Sequence, residues 1–446
     1  MTRMRFVGGR VIDGTGRAPF DATVECDGDE IVAVVEHGDG AGIPPADARD
    51  SDDVEIVDVT GCTVMPGLVD AHVHATFDDV SSNDELFHHR DAATAALVAG
   101  FNARKMLLAG VTSIMDPDTI FEIGPALRES VEAGVVEGPR ISTGVSALLT
   151  SVGGTAGTMI PDDGLAGYAR VVNTPDEMVT WTRRHIKRGA DWIKIHTTGA
   201  IPNRSGEVDV WTEDEMRVVC DTAHALGVPV TAHCRSATST IAAARAGVDL
   251  ILHASFMNEA GVEAVVEHGA ALCPTFTFLA NLADHGHRVG AGIGMQDIFR
   301  GEIEATASSM RAAYDAGVPI LTGSESGFAL TPYGHWHARE LEVLVESVGL
   351  SPLEAIECAT ANGAIAMRRE GELGTLQPGR VADLLVVDGD PSTDVTILGD
   401  RSRFRAVVSR GRRVDLAQPW PERAPIPGER VRAWAASVLT QEVARG

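Results

Sequence analysis

Two histidines stand two positions apart in the apolar run GLVDAHVHAT, residues 67–76. Side chains at i and i+2 of a strand point to the same face, so His72 and His74 are expected to lie side by side. Two neutral imidazoles that face the same way can share a metal ion, and this pair therefore predicts a metal site. A pair of solvent-facing or hydrogen-bonded histidines is the alternative that this stretch alone leaves open.

Three further candidates fall in other strand-like runs. His233 ends VPVTAH and His253 ends VDLILH, while Lys194 lies within DWIKIH. Either histidine alone would more often be a hydrogen-bonded core residue. Four histidines that each end a strand-like run are a less common pattern, and as a set they favour a metal centre.

The elements that must position these residues alternate between short apolar strands and helical stretches rich in Ala and Glu, such as 91–110 and 212–227. This alternation is typical of βα units with a parallel sheet. Eight strand-like runs lie between residues 64 and 324. The length of this span is close to the roughly 250 residues that a (β/α)8 barrel occupies. Functional side chains of such barrels come from the C-terminal ends of the strands, where the candidates lie.

The two ends of the chain have a different texture, with short strands separated by Gly-rich turns. We therefore predict an α/β protein in which a (β/α)8 TIM barrel, residues 64–360, is inserted into a small β-sandwich. Residues 1–63 and 361–420 would form that composite domain, and 421–446 a Pro-broken tail that then becomes helical.

Lys194 alternates with Ile193 and Ile195, which suit contact with outer helices, so the lysine is expected inside the barrel. A bare ammonium is costly there. One reading pairs it with a carboxylate, for which Asp191 and Asp116 are available. The other is carboxylation by CO2 to a carbamate whose two oxygens can bridge two cations. Only three of the 37 basic residues are lysines, which favours the second reading.

Bulk composition excludes several classes of protein. The net charge of −26 argues against nucleic acid or an anionic membrane as the main partner. Six cysteines without a CxxC pair favour a reduced, cytoplasmic protein. The chain has neither the apolar core of a signal peptide at its start nor a run of 18 apolar residues. We expect a cytoplasmic homo-oligomer that acts on a small-molecule substrate.

The ordered set of motifs resembles the metal-dependent amidohydrolase superfamily. The resemblance rests on PGLVDAHVH, WIKI, AHC, LHAS and, near the end, GTLQPGRVADLLVVDGD. GPRI, DWIKI, CPT and TPYGHWHARELE are most similar to the prolidase-like branch, which also holds hydrolases of phenylureas, thiocarbamates and N-acyl amino acids.

The resemblance implies a barrel with one or two divalent ions, usually zinc. His72 and His74 would hold the buried ion, His233 and His253 the outer one, and carboxylated Lys194 would bridge them. A hydroxide shared by the metals would attack a carbonyl carbon. An acid at the end of strand eight would then move the proton to the leaving nitrogen.

The strand-eight segment departs from the family pattern. Relatives carry Asp in a GTD stretch, whereas this chain reads ILTGSESGF, residues 320–328. Glu325 aligns best with that Asp and keeps a carboxylic acid at its position. We expect it to act as a metal ligand and as the proton carrier. An alternative alignment leaves Ser324 in that position and makes Glu325 a surface residue.

The leading prediction is a hydrolase of an amide, urea or carbamate C–N bond. An Xaa-Pro dipeptidase or N-acyl amino acid carboxypeptidase, a cyclic amide hydrolase, and a non-catalytic homologue are the alternatives. The candidates for substrate binding are Tyr333, His337, Arg235 and His196. Tyr333, His335, Trp336 and His337 could equally cap the last helix. Arg235 and Arg204 could bind a substrate carboxylate or pair with the protein's own acids.

Overall fold

The structure is a computed structural model that describes residues 3–38, 54–81, 91–154, 169–203, 206–292, 294–424 and 441. Its strands, numbered in chain order, are β1 (Arg3–Val7), β2 (Arg10–Val11), β3 (Phe20–Asp27), β4 (Glu30–Glu36), β5 (Val54–Asp58), β6 (Cys62–Pro66), β7 (Leu68–Asp70), β8 (Val111–Asp116), β9 (Arg140–Thr143), β10 (Ala147–Leu149), β11 (Ala169–Val171), β12 (Ile193–His196), β13 (Thr198–Asn203), β14 (Gly206–Asp209), β15 (Val230–Cys234), β16 (Leu250–His253), β17 (Ala271–Cys273), β18 (Leu384–Asp388), β19 (Phe404–Ser409) and β20 (Arg412–Arg413).

The α-helices follow the strands of the middle of the chain. They are α1 (Ala92–Leu108), α2 (Gly124–Glu132), α3 (Pro175–Lys187), α4 (Glu213–His224), α5 (Ala237–Ala246), α6 (Glu259–His268), α7 (Phe276–His285), α8 (Met295–Asp315), α9 (Arg339–Val343) and α10 (Pro352–Cys358). The two helices expected from composition are present as α1 and α4. Asp91 caps the first, and Thr212 forms a capping box with Glu215 at the second. Among the described helices, none is long and apolar enough to cross a membrane.

Strands from both ends of the chain pair in one nine-stranded sheet. Its order is β20-β19-β18-β6-β2-β3-β1-β5, with β4 beside β3. Strand β18 shows the period of two that a strand between two cores requires. Leu384 and Val386 pack with Met4 and Phe6, whereas Leu385 and Val387 join the larger core of the middle of the chain. The sheet therefore shields one small core and closes one side of the large core.

The strands of the middle segment run parallel. β7, β8 and β9 form one sheet, and β12, β15, β16 and β17 belong to a second. The backbone N–H of Asp191 donates to the carbonyl of Thr143, which connects β9 to the chain entering β12. Ile320 pairs with Leu272 of β17, and Ala71, after β7, donates to Thr322. Hydrogen bonds thus run from strand to strand around eight parallel segments.

Three local expectations are corrected. The eighth strand-like run, VPILTGS, makes an isolated bridge instead of a regular strand. Strand β7 ends at Asp70, so His72 and His74 follow it. The barrel also carries β10 and β11, a short parallel pair beside β12 that the apolar pattern did not indicate. Of the tail after residue 420, only 421–424 and 441 belong to the described residues.

A buried ion-pair network joins the barrel to the nine-stranded sheet. Arg140, at the start of β9, donates through Nε to Oδ2 of Asp383 over 2.6 Å and through Nη2 to Oδ1 of Asp29 over 2.5 Å. Asp383 precedes β18, and Asp29 lies in the turn between β3 and β4. Because Arg140 and Asp383 are both buried, each depends on the other to compensate its charge.

Arg140→Ala is expected to lower the free energy of unfolding by about 3 kcal/mol, because it leaves the buried Asp383 carboxylate uncompensated. Urea unfolding followed by fluorescence measures the change. Arg217→Ala is the control, since Arg217 forms an exposed i,i+4 pair with Glu213, worth about 0.5 kcal/mol or less. Equal shifts of the two midpoints would contradict the assignment of the network.

Candidate metal centre

His72 and His74 lie side by side directly after β7, as the i,i+2 spacing predicts. Their ring centroids are 5.0 Å apart. Backbone hydrogen bonds fix the segment from both sides, because Val73 donates to Met115 and His74 donates to Ser326. The intervening Val73 is buried in the large core. Both histidine side chains are therefore held on the same side of a segment that cannot rotate freely.

Three more of the predicted residues converge on this pair from neighbouring strands. The ring centroid of His253, at the end of β16, is 5.2 Å from that of His72 and 4.6 Å from that of His233 in β15. Lys194 lies in β12 and is buried. Because the strands are parallel, their C-terminal ends meet at one face, and the five candidates, distant in the sequence, form a spatial cluster.

Two compact groups of ligand atoms share His72. His72, His74 and Asp118 form the first, and His72, His253 and Glu325 form the second, with the ligand atoms of each group within 4.8 Å of one another. His233 belongs to neither group. The structure thus brings together His72, His74, His253 and Glu325 as expected and adds Asp118, which the sequence analysis did not single out.

The hydrogen bonds of His72 leave one ring nitrogen available as a ligand. Its Nδ1 lies 3.1 Å from Oγ1 of Thr275, and that hydroxyl donates to the carbonyl of Cys273. The hydroxyl must therefore accept from an Nδ1–H of His72, so that the lone pair lies on Nε2. A neutral imidazole with a free nitrogen is the form that binds a metal.

Strained backbone occurs at the same strand ends. His253, Thr275 and Glu325 have φ values of 69°, 55° and 54°, in the left-handed region that non-glycine residues rarely adopt. Each follows or ends a different barrel segment, and each contributes to the centre or holds a residue of it. Strained residues of this kind persist where the surrounding structure fixes them, and they cluster at functional sites.

Burial determines the charge state of the basic groups. Burial lowers the pKa of His72 and of His253 well below the usual value, so that both imidazoles are neutral. Burial also lowers the pKa of Lys194, against the opposing effect of Asp118 and Glu325. Burial raises the pKa of Glu325 to about 7. The centre thus holds two neutral imidazoles, whereas at His74 the effect of burial is outweighed by Asp118 and other nearby acids, which raise the pKa of the ring.

The two acids that could have paired with Lys194 have other partners. Asp191 accepts from Arg128 over 2.6 Å and from the backbone of Thr143. Asp116 accepts from the backbone N–H of Ala75. Asp118, two residues later, is the carboxylate whose charge acts most strongly on the Lys194 amine.

Arg235 and His233 are held by two buried glutamates. Arg235 donates through Nε and Nη2 to both carboxylate oxygens of Glu302, at 3.1 and 2.7 Å, and approaches Glu207 at 3.4 Å. Nε2 of His233 lies 2.8 Å from Oε2 of Glu207, which leaves Nδ1 available. Pairing with the protein's own acids, one of the two readings of Arg235, is therefore the one observed. Arg204 lies outside the described residues.

The strand-eight segment separates Ser324 from Glu325. The backbone of Ser324 donates to Asp70, and its hydroxyl lies 2.7 Å from that of Ser326 and 3.3 Å from Nδ1 of His337. Glu325 instead joins His72 and His253. Between the two alignments, the geometry favours Glu325 as the acid of the centre.

Tyr333 and His337 lie behind the ligands. Nε2 of His337 accepts from the backbone of Gly334, so that its Nδ1–H donates to Asp70 over 2.7 Å. The hydroxyl of buried Tyr333 donates to the carbonyl of His74. Both side chains thus already use their polar atoms within the protein, and their role in substrate binding stays a prediction.

Three further candidates, His196, His335 and Trp336, contact other side chains of the protein. Nε2 of His196 lies 2.8 Å from Oδ2 of Asp118, and its ring stacks on that of His233 with centroids 4.9 Å apart. His335 contacts Trp420, and Trp336 contacts His285. No sequence motif indicated Asp118 or Glu207. Asp118 lies beyond the end of β8, in the stretch MDPD, and Glu207 lies in the hairpin of β13 and β14.

The donor set fits a divalent metal. Nε2 of His253 is buried without a hydrogen-bond partner in the part of the chain that the structure describes. An orphaned ring nitrogen of this kind costs free energy unless a cation occupies the adjacent space. Imidazole nitrogens combined with carboxylate oxygens are typical ligands of zinc and other borderline metals.

A family model described as "Amidohydrolase family" matches residues 63–414, which covers the barrel strands and every ligand candidate. The chain belongs to the amidohydrolase family. A divalent metal is the cofactor that this family implies, and this amidohydrolase is a metal-dependent hydrolase that acts on carbon–nitrogen bonds. The resemblance to the superfamily and its prolidase-like branch is confirmed.

The relatives of this amidohydrolase cover almost the whole chain. Ochratoxinase of Aspergillus niger is 28% identical over 430 residues, 91% of this chain and 85% of the relative. A solved prolidase complexed with N-methylphosphonate-L-proline is 29% identical, with a TM-score of 0.79, and covers 93% of this chain and 99% of its own. An Xaa-Pro dipeptidase with bound methionine is 26% identical, with a TM-score of 0.79 and coverages of 93% and 100%.

More distant structures share the fold alone. Molinate hydrolase and phenylurea hydrolase B are 23% and 21% identical, with TM-scores of 0.73 and 0.71. The family match implies a TIM-barrel fold for the middle of the chain. The parallel segments and their circuit of hydrogen bonds agree with it.

Proposed function

We propose that the centre holds one or two divalent ions, most readily zinc, and hydrolyses the C–N bond of an amide, urea or carbamate. The residues that would hold the ions are His72, His74, carboxylated Lys194, His233, His253 and Glu325. The observation that carries the proposal is the convergence of buried histidines and carboxylates on one face of the barrel. A bound ion would polarise the scissile carbonyl and make water acidic enough to be deprotonated near neutral pH.

Lys194 supplies the bridging group in this proposal. Burial lowers the pKa of its amine, which increases the neutral fraction that CO2 requires. The nitrogen forms a bond to the carbon of CO2 and loses one proton, which gives a carbamate anion. Conversion of a buried cation into an anion beside imidazoles is favourable only if cations bind there. Carboxylation and metal binding are therefore coupled.

Glu325 carries the proton. Burial raises the pKa of its carboxyl to about 7, so both protonation states are accessible near neutral pH. The carboxylate accepts a proton from the attacking water and passes it to the leaving nitrogen. The strained backbone at Glu325 is fixed by two hydrogen bonds, from its N–H to His72 and from the Thr331 hydroxyl to its carbonyl, at 2.7 Å each.

A second candidate substrate class is an N-acyl amino acid or an Xaa-Pro dipeptide. Its support is the similarity to an ochratoxinase, a prolidase and an Xaa-Pro dipeptidase over 91–93% of this chain. Such a substrate brings a carboxylate that needs a cation. Arg235 can serve only if it releases Glu207, its weaker partner at 3.4 Å, while Glu302 keeps it in place. Tyr333, His337 and His196 remain proposed contacts.

The domain boundaries are also proposals. Residues 64–360 form the barrel, residues 1–63 and 361–420 a composite β-sandwich, and 421–446 a tail; the pairing of terminal strands in one sheet supports this division. We further propose a cytoplasmic homo-oligomer. All six cysteines are free thiols, which suits a reducing compartment, and Val35 and Ile56 are exposed on β4 and β5 at the sheet edge.

Purified protein is expected to carry between one and two equivalents of divalent metal, because imidazole and carboxylate donors converge at the centre. Elemental analysis measures the content, and N-acyl amino acids, Xaa-Pro dipeptides and aryl ureas serve as substrates. A chelator should abolish turnover, and added zinc should restore it. Full turnover by protein shown to be free of metal would contradict the proposed function.

Lys194→Ala is expected to lose bound metal and turnover, because the bridging anion is absent. A short-chain carboxylic acid that fills the vacated space should restore part of both. Lys187→Ala is the matched control, since Lys187 is exposed at the end of α3. If Lys194→Ala keeps the metal content and rate of the parent, the lysine is structural.

Glu325→Gln is expected to lower the catalytic rate by about two to four orders of magnitude, the usual contribution of a positioned acid–base group. Its metal content should change less than its rate. Ser324→Ala should cost less than about tenfold, because its hydroxyl serves Ser326 and His337. The reverse ranking on one substrate would assign the strand-eight position to Ser324.

A further inference from the structure

Asp118 is a completely buried carboxylate at the mouth of the barrel, two residues beyond β8. Its exposed fraction is 0%. Oδ1 lies 3.1 Å from Nδ1 of His74, and Oδ2 lies 2.8 Å from Nε2 of His196. It also belongs, with His72 and His74, to one of the two compact groups of ligand atoms. The residues predicted at the strand ends do not explain why a carboxylate is completely buried beside two histidines.

The approach of Asp118 to His74 has the geometry of two ligands of one ion. Zinc ligands at 2.0–2.2 Å in a tetrahedral arrangement are about 3.3 Å apart, close to the observed 3.1 Å. The contact is not an aligned hydrogen bond, since Nδ1 of His74 has no hydrogen-bond partner within the described ranges. A carboxylate that merely oriented the ring would accept its N–H in line.

The two groups of ligand atoms are matched in composition. His74 and Asp118 define one position, His253 and Glu325 define the other, and His72 lies between them. An imidazole nitrogen binds one ion at a time, so each position has its own histidine and its own carboxylate. His72, His74 and Asp118 together supply two histidines and one carboxylate. Such a set is typical of catalytic zinc sites, which keep one coordination position open.

We propose that Asp118 is a direct ligand of the divalent ion held by His72 and His74. This inference rests on the proposed function, because it requires that the centre bind a metal. It assigns the ligand to the loop after the second barrel strand, a position that the strand-end histidines do not reveal. The alternative role of Asp118 is that of a counter-ion for Lys194 and an acceptor for His196.

The test compares metal affinity in variants of the full-length chain. Metal-free protein is titrated with zinc while thermal unfolding is recorded, because a ligand that binds only the folded state raises the melting temperature. Asp118→Asn is expected to weaken zinc binding more than a hundredfold, beyond the 10- to 100-fold loss typical of groups that only orient a ligand. Asp118→Glu, which keeps a carboxylate, should recover at least tenfold of that loss.

Asp116→Asn is the matched control, since Asp116 is equally buried and accepts from a backbone N–H outside both groups. It should keep zinc affinity within tenfold of the parent. A loss of less than a hundredfold in Asp118→Asn, or no recovery in Asp118→Glu, would overturn the inference. If the parent protein itself shows no zinc-dependent shift, the proposed function fails instead, so the two failures are distinguishable.

Discussion

The buried donor atoms at the C-terminal ends of the barrel strands are the constraint on which the rest of the centre depends. His72, His74 and His253 are each buried, and the ligand atoms of each group lie within 4.8 Å of one another. Burial without a compensating cation disfavours such an arrangement, because lone pairs lose their water partners. The chain maintains it through strained backbone at three strand ends and through hydrogen bonds that fix the ring of His72.

Position along the strands explains why much of the centre could be predicted from the sequence. Parallel strands bring their C-terminal ends to one face, so residues as distant as His72 and His253 become neighbours once the strands are recognised. The period of two in the HxH pair fixed which side chains face together. The alternation of apolar strands with helices indicated the parallel βα segments, and the similar texture of the two chain ends suggested that they pair, as their strands do in one sheet.

The remainder of the centre depends on loops, where no period constrains the direction of a side chain. Asp118 lies beyond β8 and Glu207 in a hairpin, and neither type of position has a sequence signature. The partner of Arg235 was undecidable because the chain offers many acids, and only tertiary contact selects Glu302. The strand-eight acid was ambiguous for a similar reason, since adjacent residues of an irregular segment point in different directions.

Anomalous scattering from crystals of the metal-loaded protein, recorded on both sides of the zinc absorption edge, would locate the ions. We expect an edge-dependent peak among His72, His74 and Asp118, and with full occupancy a second beside His253 and Glu325. Ligand atoms should lie about 2.0–2.2 Å from the peaks. Zinc bound only elsewhere on the protein, with no peak among these residues, would show that the buried histidines and carboxylates do not form a metal centre.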